Sequence, residues 1–225
     1  MIPKLKLVMF DLDGTLINTA PEIALATNDT LSELGKAPVS LSQVIDWIGH
    51  GTQELLIRAL AHAFKKSTQE IRNWDERAMI QTTFDKHYLL RCGTQSTLYP
   101  GVREVIDKLK IAGLLLTIIT NKESKFTERI LKAHQLENIF EMVISGDTLD
   151  TKKPDPSCIE MCLKKYQVKA IESLFVGDSS TDAQTAKNGG IKVWLMPYGY
   201  NQGVPLEESK PDYIASGFED ILNLI

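Results

Sequence analysis

The stretch LKLVMFDLDGTL, residues 5–16, carries the first clue to the fold of this chain. Residues 5–10 form a short apolar run that meets Asp11-Leu12-Asp13-Gly14, a pattern that predicts a buried strand opening into a turn. Side chains at i and i+2 of an extended segment project to one side, so the carboxylates of Asp11 and Asp13 are expected to face a common site. Gly14 permits the turn, and Thr15 adds a hydroxyl. Taken alone, Asp-Gly after a strand is equally an ordinary turn.

Similar runs recur at 114–120, 142–145, 173–176 and 191–196, with helix-period segments between them at 102–112, 123–134, 156–166 and 182–187. Strand alternating with helix predicts an α/β fold, a parallel sheet covered on both faces. Right-handed crossovers make it doubly wound. From 19 to 94 the rhythm breaks, leaving only helical patterns at 21–34, 52–64 and 69–90. The expected division is therefore a core of residues 1–18 and 95–225 with a small α-helical cap, 19–94, inserted after the first strand. Both ends of that insert emerge at the carboxyl edge of the sheet, where open α/β folds place their ligands.

A second acidic cluster, FVGDSSTD at 175–182, repeats the arrangement. Asp178 ends a predicted strand, Ser180 or Thr181 is placed to cap the next helix, and Asp182 shares the site if that helix starts promptly. An acidic helix N-terminus explains Asp182 by itself, but not Asp178. Four carboxylates at one sheet edge repel unless a cation offsets them, and a set of oxygen ligands without His or Cys points to Mg²⁺. Thr120-Asn121 follows the run 114–120 and suits donation to phosphate oxygens, though it also suits a helix start. Lys153, in KKPDP at 152–156, is held by the following proline and can aim a charge at the carboxylates; a solvated loop is the plainer reading.

In order, Asp11-x-Asp13-Gly14-Thr15, Thr120-Asn121, Lys153-Pro154 and Gly177-Asp178-x-x-x-Asp182 resemble the four signature motifs of the haloacid dehalogenase superfamily, each at the end of a predicted strand. The resemblance implies a Rossmann-like core and a set of roles. Asp11 is the expected nucleophile, passing through an aspartyl phosphate, and Asp13 the expected acid and base. Thr120, Asn121 and Lys153 are expected to bind the phosphoryl group. Asp11, Asp13 through its carbonyl, and Asp178 are expected to hold Mg²⁺, with Asp182 in support. An aspartate at position 13 favours phosphoryl transfer over dehalogenation, which has no leaving alkoxide to protonate. A finer likeness, to bacterial phosphoglycolate phosphatases, rests on Trp47-Ile48-Gly49-His50-Gly51 with Arg58-Ala59-Leu60, on Thr120-Asn121-Lys122 with Lys152-Lys153-Pro154, and on Tyr198-Gly199-Tyr200-Asn201. The family usually carries asparagine where this chain has His50.

Gly49-x-Gly51 before a helix is a plausible anion seat, since a helix N-terminus offers free N–H groups. Gly49, His50, Gly51 and Arg58 are accordingly candidates to hold the carboxylate of 2-phosphoglycolate; a loop that needs glycine merely to turn is the alternative. Other readings in play are a phosphatase for a sugar phosphate, a nucleoside monophosphate or pyrophosphate, a phosphoglucomutase-like isomerase, and a non-enzymatic binding relative.

Composition sets the outer bounds. A net charge of −4 over 225 residues offers no electrostatic case for nucleic acid or an acidic membrane surface. The three cysteines, Cys92, Cys158 and Cys162, form no disulfide framework. No run reaches transmembrane length, and the first residues lack a signal-peptide pattern, so the chain reads as cytoplasmic. The expected partner is a small phosphorylated metabolite; monomer and homodimer both fit the sequence.

Overall fold

The computed structural model describes residues 4–224. In chain order the elements are β1 (Leu7–Phe10), β2 (Ile17–Asn18), α1 (Ala20–Glu33), α2 (Leu41–Ile45), α3 (Thr52–Phe64), α4 (Thr68–Arg72), α5 (Arg77–Arg91), β3 (Thr97–Leu98), α6 (Val102–Ile111), β4 (Leu115–Ile119), α7 (Ser124–Ala133), β5 (Met142–Ile144), α8 (Ser157–Tyr166), β6 (Ser173–Gly177), α9 (Ser180–Asn188), β7 (Lys192–Leu195) and β8 (Tyr213–Ile214).

Six strands pair in the order β5-β4-β1-β6-β7-β8, all parallel. The alternation of side chains along β1 explains why it sits at the centre. Val8 and Phe10 enter one apolar cluster with Leu116, Ile118, Leu174 and Val176, while Leu7 and Met9 enter another with Ile119, Phe175 and Leu195. A strand buried on both faces reads as a continuous apolar run, as residues 7–10 do. Cys158 and Cys162 are free thiols packed in the second cluster. From β1 the chain goes to β4 and β5 on one side, then crosses to β6, β7 and β8 on the other. The reversal falls between β1 and β6, whose carboxyl ends carry Asp11 and Asp178.

Helices α1–α5 lie between β2 and β3, which pair antiparallel through Ile17↔Leu98 and Asn18↔Thr97 and so bring the two connecting segments side by side. The helical pattern at 69–90 resolves into two helices, not one. Ser67 and Glu70 form a capping box that starts α4, and Asn73 ends it; Trp74 then stands edge-on to Phe64 at 4.7 Å, which turns the chain before α5. Among the described residues no helix is long and apolar enough to cross a membrane.

Candidate active site

Asp11, Thr120 and Asp178 directly follow β1, β4 and β6, and for Asp11 and Thr120 the sheet's own hydrogen bonds extend one residue past the strand; Lys153, expected at a strand end, comes instead from the loop between β5 and α8, and Asp182 from the first turn of α9. Asp11 N donates to Val176 O at 2.9 Å, and Thr120 N donates to Ile144 O at 2.9 Å. Gly14, at φ +88°, turns the chain so closely under Asp178 that a Cβ there would strike its carboxylate. Thr15 Oγ1 donates to Asp178 Oδ1 at 2.7 Å, and the backbone N–H of Tyr200 donates to Oδ2 at 2.5 Å.

The helix after β6 begins at Ser180, capped by Ser179 rather than by Ser180 or Thr181. Its side chain accepts from Asp182 N, while Asp182 Oδ2 accepts from Asp178 N, Ser179 N and Ser179 Oγ at 3.1, 3.1 and 2.7 Å. Ser179 wins because it is the last extended residue, at ψ 164°. Asp182 Oδ1 is taken by Lys153 Nζ at 2.7 Å. All four of these donors are therefore spent on one buried carboxylate, and Asp182 fixes Lys153 more directly than it offers itself to a ligand.

Lys153 Nζ also lies 2.8 Å from Asp11 Oδ1, so the same ammonium pairs with two buried carboxylates. Burial pushes the Asp11 carboxyl up to about 7, against the pull of Lys153 and with the repulsion of Asp182 and Asp13. Burial likewise raises Asp178, aided by Asp182 and Asp11. Burial pushes the Lys153 ammonium down, yet Asp11 and Asp182 outweigh it and hold it above its ordinary range. Carboxylate oxygens of Asp11, Asp178 and Asp182 lie within 4.8 Å of one another. Three buried carboxylates that converge with only oxygen donors, Asp11 and Asp178 both raised by burial and mutual repulsion, fit a divalent cation.

Asp13 has its own pair of donors. Thr19 Oγ1 donates to Oδ1 at 2.6 Å, and Lys122 Nζ lies 3.0 Å from Oδ2. Lys122 Nζ further donates to Tyr88 Oη at 2.6 Å. The sequence places Lys122 only within the Thr-Asn-Lys likeness and gives Thr19 and Ser179 no role of their own. Tyr200 was quoted in the same way, although it contacts Asp178 through its N–H and, through its hydroxyl, accepts from Ala20 N and donates to Asn18 Oδ1. The signal for Lys122 was available: a lysine directly after a buried strand end must find an acidic partner.

Asp11, Asp13, Thr120, Asn121, Lys122, Lys153 and Asp178 line one side of a small cavity; Ile23, Ile48, Gly49, Gly51, Thr52 and Leu55 line the other. Asn121 is on the wall, but its amide is engaged: Nδ2 donates to Gly49 O and Lys153 O at 3.1 Å each, and Oδ1 accepts from Lys153 N at 2.9 Å. The N-terminus of α3 faces an anion already present in the protein, since Thr52 Oγ1 donates to Glu123 Oε2 at 2.9 Å. His50 and Arg58 are not brought to this cavity. His50 is exposed on a separate groove with Arg72, Arg77 and Lys152, and Arg58 pairs with Glu54 at 3.3 Å.

Comparison with known proteins agrees with this geometry. The profile of the family described as haloacid dehalogenase-like hydrolase matches residues 8–196. A phosphoglycolate phosphatase of Vibrio parahaemolyticus serotype O3:K6 is 38% identical over 221 residues, covering 98% of this chain and 96% of that one. One of Vibrio cholerae serotype O1 is 36% identical, at 98% and 97% coverage. The crystal structure of a predicted phosphoglycolate phosphatase from Haemophilus somnus 129pt superposes with a TM-score of 0.92 at 34% identity, covering 100% of this chain and 99% of that chain. With strand order, site and sequence in agreement, the chain belongs to the haloacid dehalogenase-like hydrolases and, within them, to the phosphoglycolate phosphatase family.

Proposed function

We propose that this protein is a Mg²⁺-dependent phosphatase that hydrolyses a small phosphomonoester, 2-phosphoglycolate in first place, to glycolate and phosphate through an aspartyl phosphate on Asp11. The observation that carries the reading is the placement of Asp11, Asp13 and Lys153 on one cavity wall, with Lys153 2.8 Å from Asp11. Asp11 attacks phosphorus, splitting hydrolysis into two steps. Asp13 protonates the departing alkoxide, then takes a proton from the water that cleaves the acyl phosphate. Lys153 and the Thr120 hydroxyl hold the phosphoryl oxygens. Asp11, Asp178 and the Asp13 carbonyl would hold Mg²⁺, with Asp182 behind them, and the ion would offset charge between two anions. Helices within 19–94 serve as the cap that excludes water, on a core of 1–18 and 95–225.

The relatives named as phosphoglycolate phosphatases support the substrate. The apolar far wall of Ile23, Ile48 and Leu55 supports a compact one. The test is phosphate release from 2-phosphoglycolate, glucose 1- and 6-phosphates, a nucleoside monophosphate and pyrophosphate, with Mg²⁺ and with EDTA. The expected result is a kcat/KM preference for 2-phosphoglycolate that EDTA removes, and Asp11→Asn that folds but does not turn over. A preference for another ester discards the substrate, and activity of Asp11→Asn discards the covalent route.

A further inference from the structure

Lys122 is a buried cation that the mechanism above does not use. Its backbone belongs to the end of the central sheet, two residues past Thr120, yet its ammonium is divided between two bodies of the molecule. One contact is Asp13 Oδ2 at 3.0 Å. The other is the hydroxyl of Tyr88 at 2.6 Å, with the ammonium 4.8 Å from the centre of the same ring. Tyr88 lies on α5, fully buried, and its ring is wedged between Phe84 of its own helix and Phe126 of α7, at 5.7 and 4.5 Å. The tyrosine is therefore not free to swing away from Lys122 unless α5 moves.

We infer that Lys122 is a positioning residue that aims the Asp13 carboxyl at the leaving oxygen, and that Tyr88 makes this aim depend on α5 being seated against the core; this rests on the acid–base role proposed for Asp13. A carboxyl on a short side chain at a turn rotates about its terminal torsion unless both oxygens are restrained. Here Thr19 restrains Oδ1 and Lys122 restrains Oδ2. Thr19 stands at the N-terminal edge of α1, and Lys122 is itself held by α5, so both restraints come together when the helices 19–94 are docked. A lysine needs a second strong partner to stay at one point in a cavity that water can enter, and the Tyr88 hydroxyl, buried and acceptor to this one ammonium, is that partner.

The reading separates from a merely structural or phosphate-binding role by the leaving group. Protonation by Asp13 matters when an alkoxide departs and matters little when p-nitrophenolate departs. Because kcat/KM reports the step that expels the leaving group, it is the quantity to compare. The experiment measures kcat/KM in Mg²⁺ for 2-phosphoglycolate, glycerol 2-phosphate and p-nitrophenyl phosphate with the wild type, Lys122→Met and Tyr88→Phe. Lys122→Met is expected to lose about 10²-fold on both alkyl esters and less than about 5-fold on the aryl ester, the range general-acid catalysis supplies. Tyr88→Phe, which keeps the ring packing, is expected to show the same selectivity at about 10-fold. An equal loss on all three esters, a loss confined to the carboxylate-bearing 2-phosphoglycolate, or no loss in either variant overturns the proposal. The wild-type rates on the panel test the phosphatase reading independently, so failure of one is not failure of the other.

Discussion

Asp11 shows at the residue scale how one group is tuned by burial and by what stands next to it. Its carboxyl is raised from 3.8 to about 7, first by burial and then by Asp182 and Asp13 outweighing part of the help from Lys153. A folded-state value above the unfolded one means that the native form holds the proton more tightly. The stability this confers is complete below about pH 4 and is lost as pH rises through about 7 in metal-free protein. A divalent cation replaces the proton, so its stabilisation is expected to grow over the same window. At about a hundred times its Kd, Mg²⁺ adds about 2.7 kcal/mol, a Tm rise on the order of 5–10 °C for a chain of this size. Thermal melts with and without Mg²⁺ at pH 5 and pH 7.5 check this; an equal gain at both would show that the Asp11 cluster is not where the ion binds.

Among the elements, one buried carboxylate ties the first helix, α1, to the segment that returns to the core. Glu22, in the first turn of α1, is fully buried, and its Oε2 accepts from Gly93 N at 2.8 Å and Ser96 N at 3.2 Å, so it fastens the outgoing helix to the returning segment. Its other oxygen has no partner, and burial raises its carboxyl above the ordinary range. Glu22→Ala strands two N–H groups at a cost of about 1–3 kcal/mol each. Urea unfolding is expected to show a loss of about 2–6 kcal/mol from these two groups, and a loss under about 0.5 kcal/mol, the range of ordinary surface substitutions, would mean that water satisfies them. Two departures from expectation belong to the same scale: the turn at Asn73 and Trp74 divides the 69–90 pattern into α4 and α5, and the cap at Ser179 starts α9 at Ser180.

Across the whole molecule, the loop 48–52 is latched to the sheet side by three contacts from separate parts of the chain. Asn121 donates to Gly49 O, Thr52 donates to Glu123, and Gln202 donates to Ile48 O at 3.3 Å. None of these three hydrogen bonds involves Asp11, so loosening the Thr52 contact is expected to weaken substrate retention more than chemistry. Thr52→Val should raise KM about 3- to 10-fold with kcat within about 2-fold, for one hydrogen bond worth about 1 kcal/mol. Amide exchange in 48–52 should quicken in the same variant. A change in kcat alone, with exchange unaltered, would remove the loop from substrate retention.

Local pattern was enough for the sheet and for most of its edge. The runs at 7–10, 115–119, 142–144, 173–177 and 192–195 are predominantly apolar because the central strands of an all-parallel sheet are buried on both faces. Asp11, Asp13, Thr120 and Asp178 were legible because each stands at or just past the end of such a run, and the end of a parallel strand is a shared address; Lys153, in the loop after β5, was legible only through its motif. The two-residue strands β2, β3 and β8 were not, being too short to carry a period. Pairings between distant segments were equally silent: Lys122 with Tyr88, Tyr200 with Asp178 and Asn18, and Glu123 at the start of α3. The same holds for His50, which lines a separate groove, and for Arg58, which pairs with Glu54. Sequence by itself determined which residues stand at the strand ends, because backbone periodicity is local; tertiary structure alone decided their partners, because a hydrogen bond between residues far apart in the chain exists only once packing brings them together.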